Sequence, residues 1–259
     1  MPEPKYREIA EDLRGKIESG ELAGGERLPT EIELMEQYEA SRNTVRDAMR
    51  LLITRTLVET RPGQGTYVVE KVLPFVTTLT QDPETGRGGG EEGVYIAEVR
   101  AGGREPRTSD PRVEIQGAEG AIAQALRLDT GSQVVSRHQQ RFIDEKPWSM
   151  QTSFYPMSLV TDQGAARLLQ ATDIPEGTVI YLAEHVGIKQ SRYRDTIAVR
   201  APNEPEVAFF KIPEDGRVPV FEIFRVGFDQ SGNRFRLTVS VYPADRNRFA
   251  INVGEVPTG

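Results

Sequence analysis

Cysteine is absent from this chain of 259 residues, and histidine occurs only twice, as His138 and His185. Without cysteine, disulfide bonds, thiolate-bound zinc, iron–sulfur clusters and thiol catalysis are excluded. Two histidines are too few for a three-histidine metal site within one chain. No apolar run approaches the roughly 18 residues of a membrane helix, and the charged N-terminal residues do not resemble a signal peptide. The sequence therefore predicts a cytoplasmic protein without a cofactor or a membrane partner.

An excess of positive charge is also lacking, since the net charge is −7. This value alone argues against a nucleic-acid-binding protein. The charges are unevenly distributed, however: residues 1–39 carry a net charge of −6, and residues 40–61 carry a net charge of +3. A short basic segment in an acidic chain is a candidate for phosphate contacts. The alternative is an ordinary solvated helix face.

The first seventy residues contain signals for three helices. Apolar residues at helical spacing predict a helix over residues 4–19. Thr30 and Glu33 have the spacing of a capping box, which predicts a second helix. Ser41 is a further N-cap candidate for a third helix over about 42–55. A hairpin with a Pro-Gly-Gln-Gly turn follows, so the order of elements predicts a winged helix-turn-helix.

The third helix carries the residues that we expect to read DNA. Arg42, Arg46 and Arg50 are spaced by four residues and share one face of the helix. In this fold the N-terminal turn of the third helix enters the major groove. Arginine matches a guanine edge and Asn43 could match an adenine edge. We expect Arg50, which lies further along the helix, to contact phosphate at most.

Three short motifs in this segment resemble the DNA-binding domain of GntR-family repressors. They are LPTE at residues 28–31, SRNTVRDA at 41–48 and RPGQGTYV at 61–68. Ile32 and Thr56 depart from the family, which often has arginine and glycine at these positions. The resemblance implies that double-stranded operator DNA is contacted by Thr30, Arg42, Asn43, Thr44, Arg46, Gln64 and Gly65.

A glycine-rich segment separates the two halves of the chain. Residues 80–93 contain five glycines and almost no apolar side chain, which is typical of a flexible linker. We therefore predict a DNA-binding domain over residues 1–73, a linker over 74–93 and a second domain over 94–259. A long loop inside the second domain is the alternative.

Strand patterns dominate the second half of the chain. Apolar and polar residues alternate over 134–142, 149–155 and 234–242, as in half-buried strands. Helical spacing predicts short helices at 118–126 and within 159–171. Antiparallel strands with a few helices predict an α+β domain.

The second half resembles the UTRA effector domain of the HutC subfamily, whose fold is similar to that of chorismate lyase. The resemblance lies in RFIDEKP at 141–147, TSFYP at 152–156, VFEIFR at 220–225 and YPADR at 242–246. It implies an α+β fold and a sheet-lined cleft for a small polar effector. We expect residues 94–259 also to form most of a homodimer, because one winged helix reads only a half-site. The residues expected to line this cleft are Gln139, Arg141, Gln151, Thr178, Arg236 and Tyr242.

Two of these positions suggest the charge of the effector. The family often has glutamate where this chain has Gln151 and Arg236. The replacement of two acids favours an anionic effector, whose charged group the resemblance assigns to Arg141. A salt bridge from Arg141 to Asp144 or Glu145 is the alternative.

These observations predict a homodimeric repressor that binds a palindromic operator and is released by a small, anionic effector. A constitutive repressor, whose second domain only dimerises, remains an alternative. A lyase-like enzyme is the most distant alternative, because the expected cleft faces offer no acid–base pair or activated nucleophile.

Overall fold

The computed structural model describes residues 4–69, 74–80 and 88–253. The chain divides into two compact units, residues 1–73 and residues 74–259. In the described part of the chain, no helix has the length and apolar character needed to cross a membrane.

The first unit is a winged helix-turn-helix, as predicted. Its elements are α1 (Lys5–Ser19), α2 (Glu31–Gln37), α3 (Arg42–Thr54), β1 (Val58–Arg61) and β2 (Gly65–Val68). The apolar stripes of the three helices meet in one core around Leu13, Leu34 and Leu52. The capping box at α2 is confirmed, because Thr30 Oγ1 accepts from the Glu33 amide at 3.3 Å while the Glu33 carboxylate accepts from the Thr30 amide at 2.7 Å.

The second unit is built on an antiparallel seven-stranded sheet. The strand order is β4-β6-β7-β10-β9-β8, with β5 also paired to β6. The strands of this sheet are β4 (Pro106–Thr108), β5 (Arg112–Gly117), β6 (Gln133–Ile143), β7 (Lys146–Pro156), β8 (Gln190–Arg200), β9 (Val220–Asp229) and β10 (Arg234–Pro243). The helices are α4 (Glu92–Ala101), α5 (Gly120–Leu126), α6 (Ser158–Thr161), α7 (Thr178–Tyr181) and α8 (Glu204–Phe210). The α+β fold is therefore confirmed.

The register of the three central strands aligns polar side chains across the sheet. Asp144 and Glu145 both have positive φ, at 50° and 58°, which is the conformation of a two-residue type I′ hairpin turn. This turn sets the β6–β7 register, in which Gln139 lies opposite Gln151. Gln151 in turn lies opposite Ser240 of β10. Because side chains alternate between faces, these residues lie on one face of the sheet.

The predicted linker over 74–93 is wrong for its described parts. Strand β3 (Phe75–Thr78) pairs in parallel with β11 (Asn247–Ala250), and α4 begins within the predicted linker. The Phe75 ring packs edge-on against the rings of Tyr95 and Trp148, each with centroids 6.5 Å apart. Apolar burial and strand pairing thus bind this segment to the second unit. Residues 70–73 and 81–87 lie outside the described residues.

The helix predicted within 159–171 is also replaced by shorter elements. Helix α6 ends at Thr161, and a separate 3-10 turn covers Ala166–Leu169. Gly164 lies between them with a φ of +78°. This left-handed conformation interrupts a continuous helix.

Candidate DNA-binding surface and ligand cavity

Helix α3 presents the predicted DNA-reading residues to solvent. Ser41 caps the helix by accepting a hydrogen bond from the Thr44 amide at 3.2 Å. Val45 is buried in the core of the unit, whereas the side chains of Arg42 and Arg46 are 64% and 48% exposed. Asn43 is exposed between them. The start of α3 therefore offers arginine and amide donors on an accessible surface.

A glutamate on α2 holds the two exposed arginines together. Arg42 Nε lies 3.1 Å from Glu31 Oε2, and Arg46 Nε lies 3.1 Å from Glu31 Oε1. The hydrogen bond from Arg46, followed by that from Arg42, lowers the pKa of Glu31. Glu31 was not predicted as a site residue, although it is the acid of the LPTE motif at residues 28–31.

The hairpin places its turn close to the same surface. Gly65 has a φ of +117°, and a Cβ at this position would lie 2.7 Å from Arg27 Nε. A side chain at residue 65 would therefore strain the backbone and displace Arg27, a residue that was not predicted to belong to the site. Gln64 is exposed at the turn.

A groove of about 420 Å³ lies within the first unit, between α3 and the hairpin. Of the residues predicted to contact DNA, Thr30, Arg46 and Gly65 line this groove. Thr30 has an additional structural function, since its hydroxyl donates to the Glu33 carboxylate at 2.8 Å. Arg42, Asn43, Thr44 and Gln64 lie outside the groove lining.

The second unit contains a cavity of about 40 Å³ against the polar face of the sheet. Five of the six residues predicted for an effector site line it: Gln139, Gln151, Thr178, Arg236 and Tyr242. They come from β6, β7, α7 and β10. Gln139, Gln151, Arg236 and Tyr242 lie on strands of the sheet, whereas Thr178, which only the family resemblance had indicated, reaches the cavity from α7.

Arg141 is the predicted site residue that does not line the cavity. Its side chain is buried, its Nη1 donates to the Gly90 carbonyl at 2.7 Å, and its guanidinium lies 4.8 Å from the centre of the Tyr95 ring. The predicted strand face is correct, but residues 90–95 cover this end of the sheet. The alternative pairing is also wrong, because Asp144 and Glu145 pair with Arg104 and Arg107, respectively.

A buried network of charges crosses one wall of the cavity. Glu91 Oε1 accepts hydrogen bonds from Arg236 Nη2 and, at 2.9 Å, from Gln190 Nε2. Arg225 Nη1 lies 3.8 Å from the same oxygen, and Arg225 also donates to Asp195 at 2.8 and 2.7 Å. Glu91 was not predicted as a site residue, because a glycine-rich acidic segment has the composition of an exposed linker.

Glu91 is held as an anion in this network. Burial alone would raise the pKa of Glu91, but the nearby charges of Arg236 and Arg225 outweigh burial and lower this pKa. Within the described chain, Glu91 Oε2, Arg236 Nε and Gln151 Oε1 are buried without a hydrogen-bond partner. Such groups are costly to bury unless another molecule satisfies them.

A second carboxylate lines the cavity, but it too is paired. Glu176 contacts Arg167, and this hydrogen bond lowers the pKa of Glu176. Neither cavity glutamate therefore has the raised pKa that suits a general acid at neutral pH. Among the described residues, no group of three or more histidine, aspartate or glutamate side chains could hold a metal ion.

A helix-turn-helix with an exposed arginine surface and a second unit with a polar, sheet-lined cavity define a DNA-binding transcriptional regulator. Comparison with known proteins agrees with this class. Residues 5–68 match the family described as bacterial regulatory proteins, gntR family, and residues 101–248 match the UTRA domain. The chain belongs to the GntR family of regulators that carry a UTRA domain, and the HutC subfamily fits this combination.

Curated relatives of the chain are named as repressors. The chain is 25% identical to the HTH-type transcriptional repressor NagR of Bacillus subtilis, over 96% of this chain and 94% of that protein. It is 29% identical to the mannosyl-D-glycerate transport/metabolism system repressor MngR of Escherichia coli, over 61% of each chain. The relatives identify a DNA-binding protein of the repressor type.

Solved structures show the same two-part fold. A GntR-family transcriptional regulator has a TM-score of 0.58 and 25% identity, covering 98% of this chain and 99% of that one. PhnF from Mycobacterium smegmatis has a TM-score of 0.57 and 24% identity, covering 95% of this chain and 98% of that one.

Proposed function

We propose that the protein is a cytoplasmic repressor that binds a palindromic operator as a homodimer and leaves it when a small anionic effector enters the cavity. The observation that carries the effector proposal is the cavity itself. Its lining includes the guanidinium groups of Arg225 and Arg236, and it contains buried polar atoms without partners among the described residues. Arginine binds carboxylate and phosphate groups through charge-assisted hydrogen bonds, so these residues favour an anionic ligand.

The homodimer follows from the size of the DNA-binding unit. One winged helix places one recognition helix in one major groove, which covers half of a typical operator. A two-fold axis doubles this contact and matches a palindromic site. Sedimentation of the purified chain should therefore give the mass of a dimer, and a monomer at micromolar concentrations would exclude this part of the proposal.

Gln151 offers a direct test of the effector site. A thermal-shift screen against anionic metabolites would first identify a stabilising compound, and operator binding would then be measured with and without it. We expect wild-type protein to release the operator, and Gln151→Leu to bind the operator normally but lose the response. Gln140→Leu is the matched control, because Gln140 lies on the adjacent strand with its side chain on the opposite sheet face.

The outcomes separate the two repressor functions. If no anionic compound shifts the melting temperature or releases the operator, the constitutive repressor is the better description. If Gln140→Leu loses the response as strongly as Gln151→Leu, the effect comes from sheet stability and the cavity is not the effector site.

A further inference from the structure

The segment before α4 is fitted closely against the cavity. The Gly89 amide donates to the Thr78 carbonyl at 2.9 Å, and a Cβ on Gly89 would overlap that carbonyl. A Cβ on Gly88 would overlap the Tyr193 hydroxyl in the same way. The glycines therefore allow the backbone to approach the sheet more closely than other residues could. Glu91 follows directly and is only 5% exposed.

Glu91 supplies a negative charge to the cavity arginines, in addition to the Asp195 carboxylate that pairs with Arg225. Its Oε1 is the shared acceptor for Arg236 and Gln190 and lies near Arg225. The network still has a buried donor, Arg236 Nε, and a buried acceptor, Glu91 Oε2, without partners among the described residues. The arrangement thus satisfies the arginine charges while leaving hydrogen-bonding capacity for a larger anion.

The space left beside Glu91 is small. The cavity measures about 40 Å³, which is room for only a few water molecules. Glu91 Oε1 lies against both Arg236 and Arg225. An anionic group that binds these two arginines from the cavity must therefore take the place of the Glu91 carboxylate.

We propose that the Glu91 carboxylate is an internal substitute for the effector, and that a carboxylate or phosphate group of the effector displaces it from Arg236 and Arg225. This inference rests on the proposed function, because it assigns a mechanism to the same cavity. The effector then competes with residues 88–91 of the chain itself. Displacement of Glu91 costs free energy. The effector therefore binds the protein more weakly than it would bind the same site without the Glu91 carboxylate.

Inorganic phosphate is a suitable probe, because it carries the anionic group without requiring the identity of the effector. Phosphate binding to the full chain would be measured by calorimetry and thermal shift at constant ionic strength. We expect Glu91→Gln to bind phosphate at least about tenfold more tightly than wild type, since it removes one charged competitor for charge-assisted hydrogen bonds.

Two variants control for the change in charge. Glu145→Gln removes a carboxylate of the same unit that pairs with Arg107 and lies outside the cavity lining, so its phosphate affinity should stay near that of wild type. Adding Arg236→Gln to Glu91→Gln should abolish the gain. Equal affinities of wild type and Glu91→Gln, or an equal gain in Glu145→Gln, would overturn the proposal.

A second measurement covers the case in which Glu91→Gln does not fold. In wild-type protein, saturating phosphate should increase amide hydrogen exchange at residues 88–91, while exchange in α5 stays unchanged. Unchanged exchange at residues 88–91 would overturn the proposal.

The failure of this inference can be distinguished from the failure of the proposed function. If a metabolite releases the operator but Glu91→Gln gains no phosphate affinity, the effector function holds and the internal-substitute mechanism is wrong. If Glu91→Gln gains phosphate affinity but no anion alters operator binding in any variant, the substitution mechanism holds and the proposed release from DNA is wrong.

Discussion

Each unit of the molecule contains a glutamate between two arginines, and the two clusters differ in exposure. In the first unit, Glu31 pairs with Arg42 and Arg46, and these side chains are 38–64% exposed. In the second unit, Glu91 lies with Arg225 and Arg236, and these side chains are only 5–6% exposed. The same chemical groups therefore form one cluster in water and one in the protein interior.

This difference in exposure determines what each cluster can do. An exposed ion pair contributes about 0–1 kcal/mol, so DNA phosphates or base edges can replace Glu31 at small cost. A buried ion pair is costly to break because the remaining charge stays in a poorly solvated site. The first cluster is suited to rapid exchange with a polyanion, and the second to a specific exchange with a ligand that replaces the lost charge.

The largest expected effect comes from breaking the buried cluster. Arg236→Met leaves Glu91 with a weaker set of partners and should reduce the free energy of unfolding of the second unit by about 3–5 kcal/mol. Urea denaturation can be followed through the fluorescence of Trp148, which is the only tryptophan of the chain and is buried in this unit.

Arg217→Met is the matched control for this experiment. Arg217 pairs with Asp215, but both side chains are at least half exposed. Loss of this exposed ion pair should reduce the free energy of unfolding by less than about 1 kcal/mol. Similar losses for both variants would show that burial does not distinguish the clusters as proposed.

The next effect concerns DNA recognition by the exposed cluster. Arg42→Ala or Arg46→Ala should each weaken operator binding by about 1–3 kcal/mol, because each removes a potential bidentate base contact. Arg50→Ala is the control on the same helix and should weaken operator binding by less than either of these variants. Fluorescence anisotropy with an operator selected from random duplexes would measure all three, and equal, small losses would favour the simple solvated-face interpretation.

A smaller effect should follow from removing the exposed glutamate. Glu31→Gln frees both arginines for phosphate and should increase affinity for non-specific duplex DNA by less than about 1 kcal/mol. Glu36→Gln makes the same change in net charge on an exposed part of α2 and serves as the control. Titrations at several salt concentrations should give a steeper dependence for Glu31→Gln, whereas matching curves for the two variants would indicate a general charge effect.

The two clusters also differ in how far the sequence predicts them. Local signals suffice for the first unit, because caps, helical spacing and a short hairpin turn are set by neighbouring residues. In the second unit, strand alternation placed Gln139, Gln151 and Arg236 on one face correctly. The alternation could not show that residues 90–95 cover Arg141, since this contact joins positions about fifty residues apart.

Glu91 and the segment predicted as a linker, residues 74–93, show the same limit of prediction from local sequence. A glycine-rich segment is flexible when nothing packs against it, yet here the absent side chains permit close contact with Thr78 and Tyr193. Amino-acid composition indicates how a segment behaves by itself, whereas the burial of the segment depends on which distant residues pack against it. The pairing of Glu91 with arginines 134 and 145 positions away leaves no local signal.

The smallest expected effect is a pH dependence of stability that comes from a histidine of the second unit. Both histidines of the chain lie in that unit. His138 lies on β6, with Nδ1 at 2.9 Å from Thr152 Oγ1. Burial, with a contribution from the charge of Arg112, lowers the pKa of His138. The folded state therefore binds a proton less readily than the unfolded state, whose histidine pKa is about 6.5.

It follows that stability from neutral His138 is fully present above about pH 6.5 and decreases as the pH falls below this value. Glu98, whose pKa is raised by burial, has the opposite effect, because its neutral form favours the folded state at low pH.

The contribution of His138 must therefore be isolated by substitution. Urea denaturation followed at Trp148 should show a smaller loss of stability below about pH 6.5 for His138→Gln than for wild type. An unchanged dependence in His138→Gln would show that the loss of stability in this range comes from another group in the second unit.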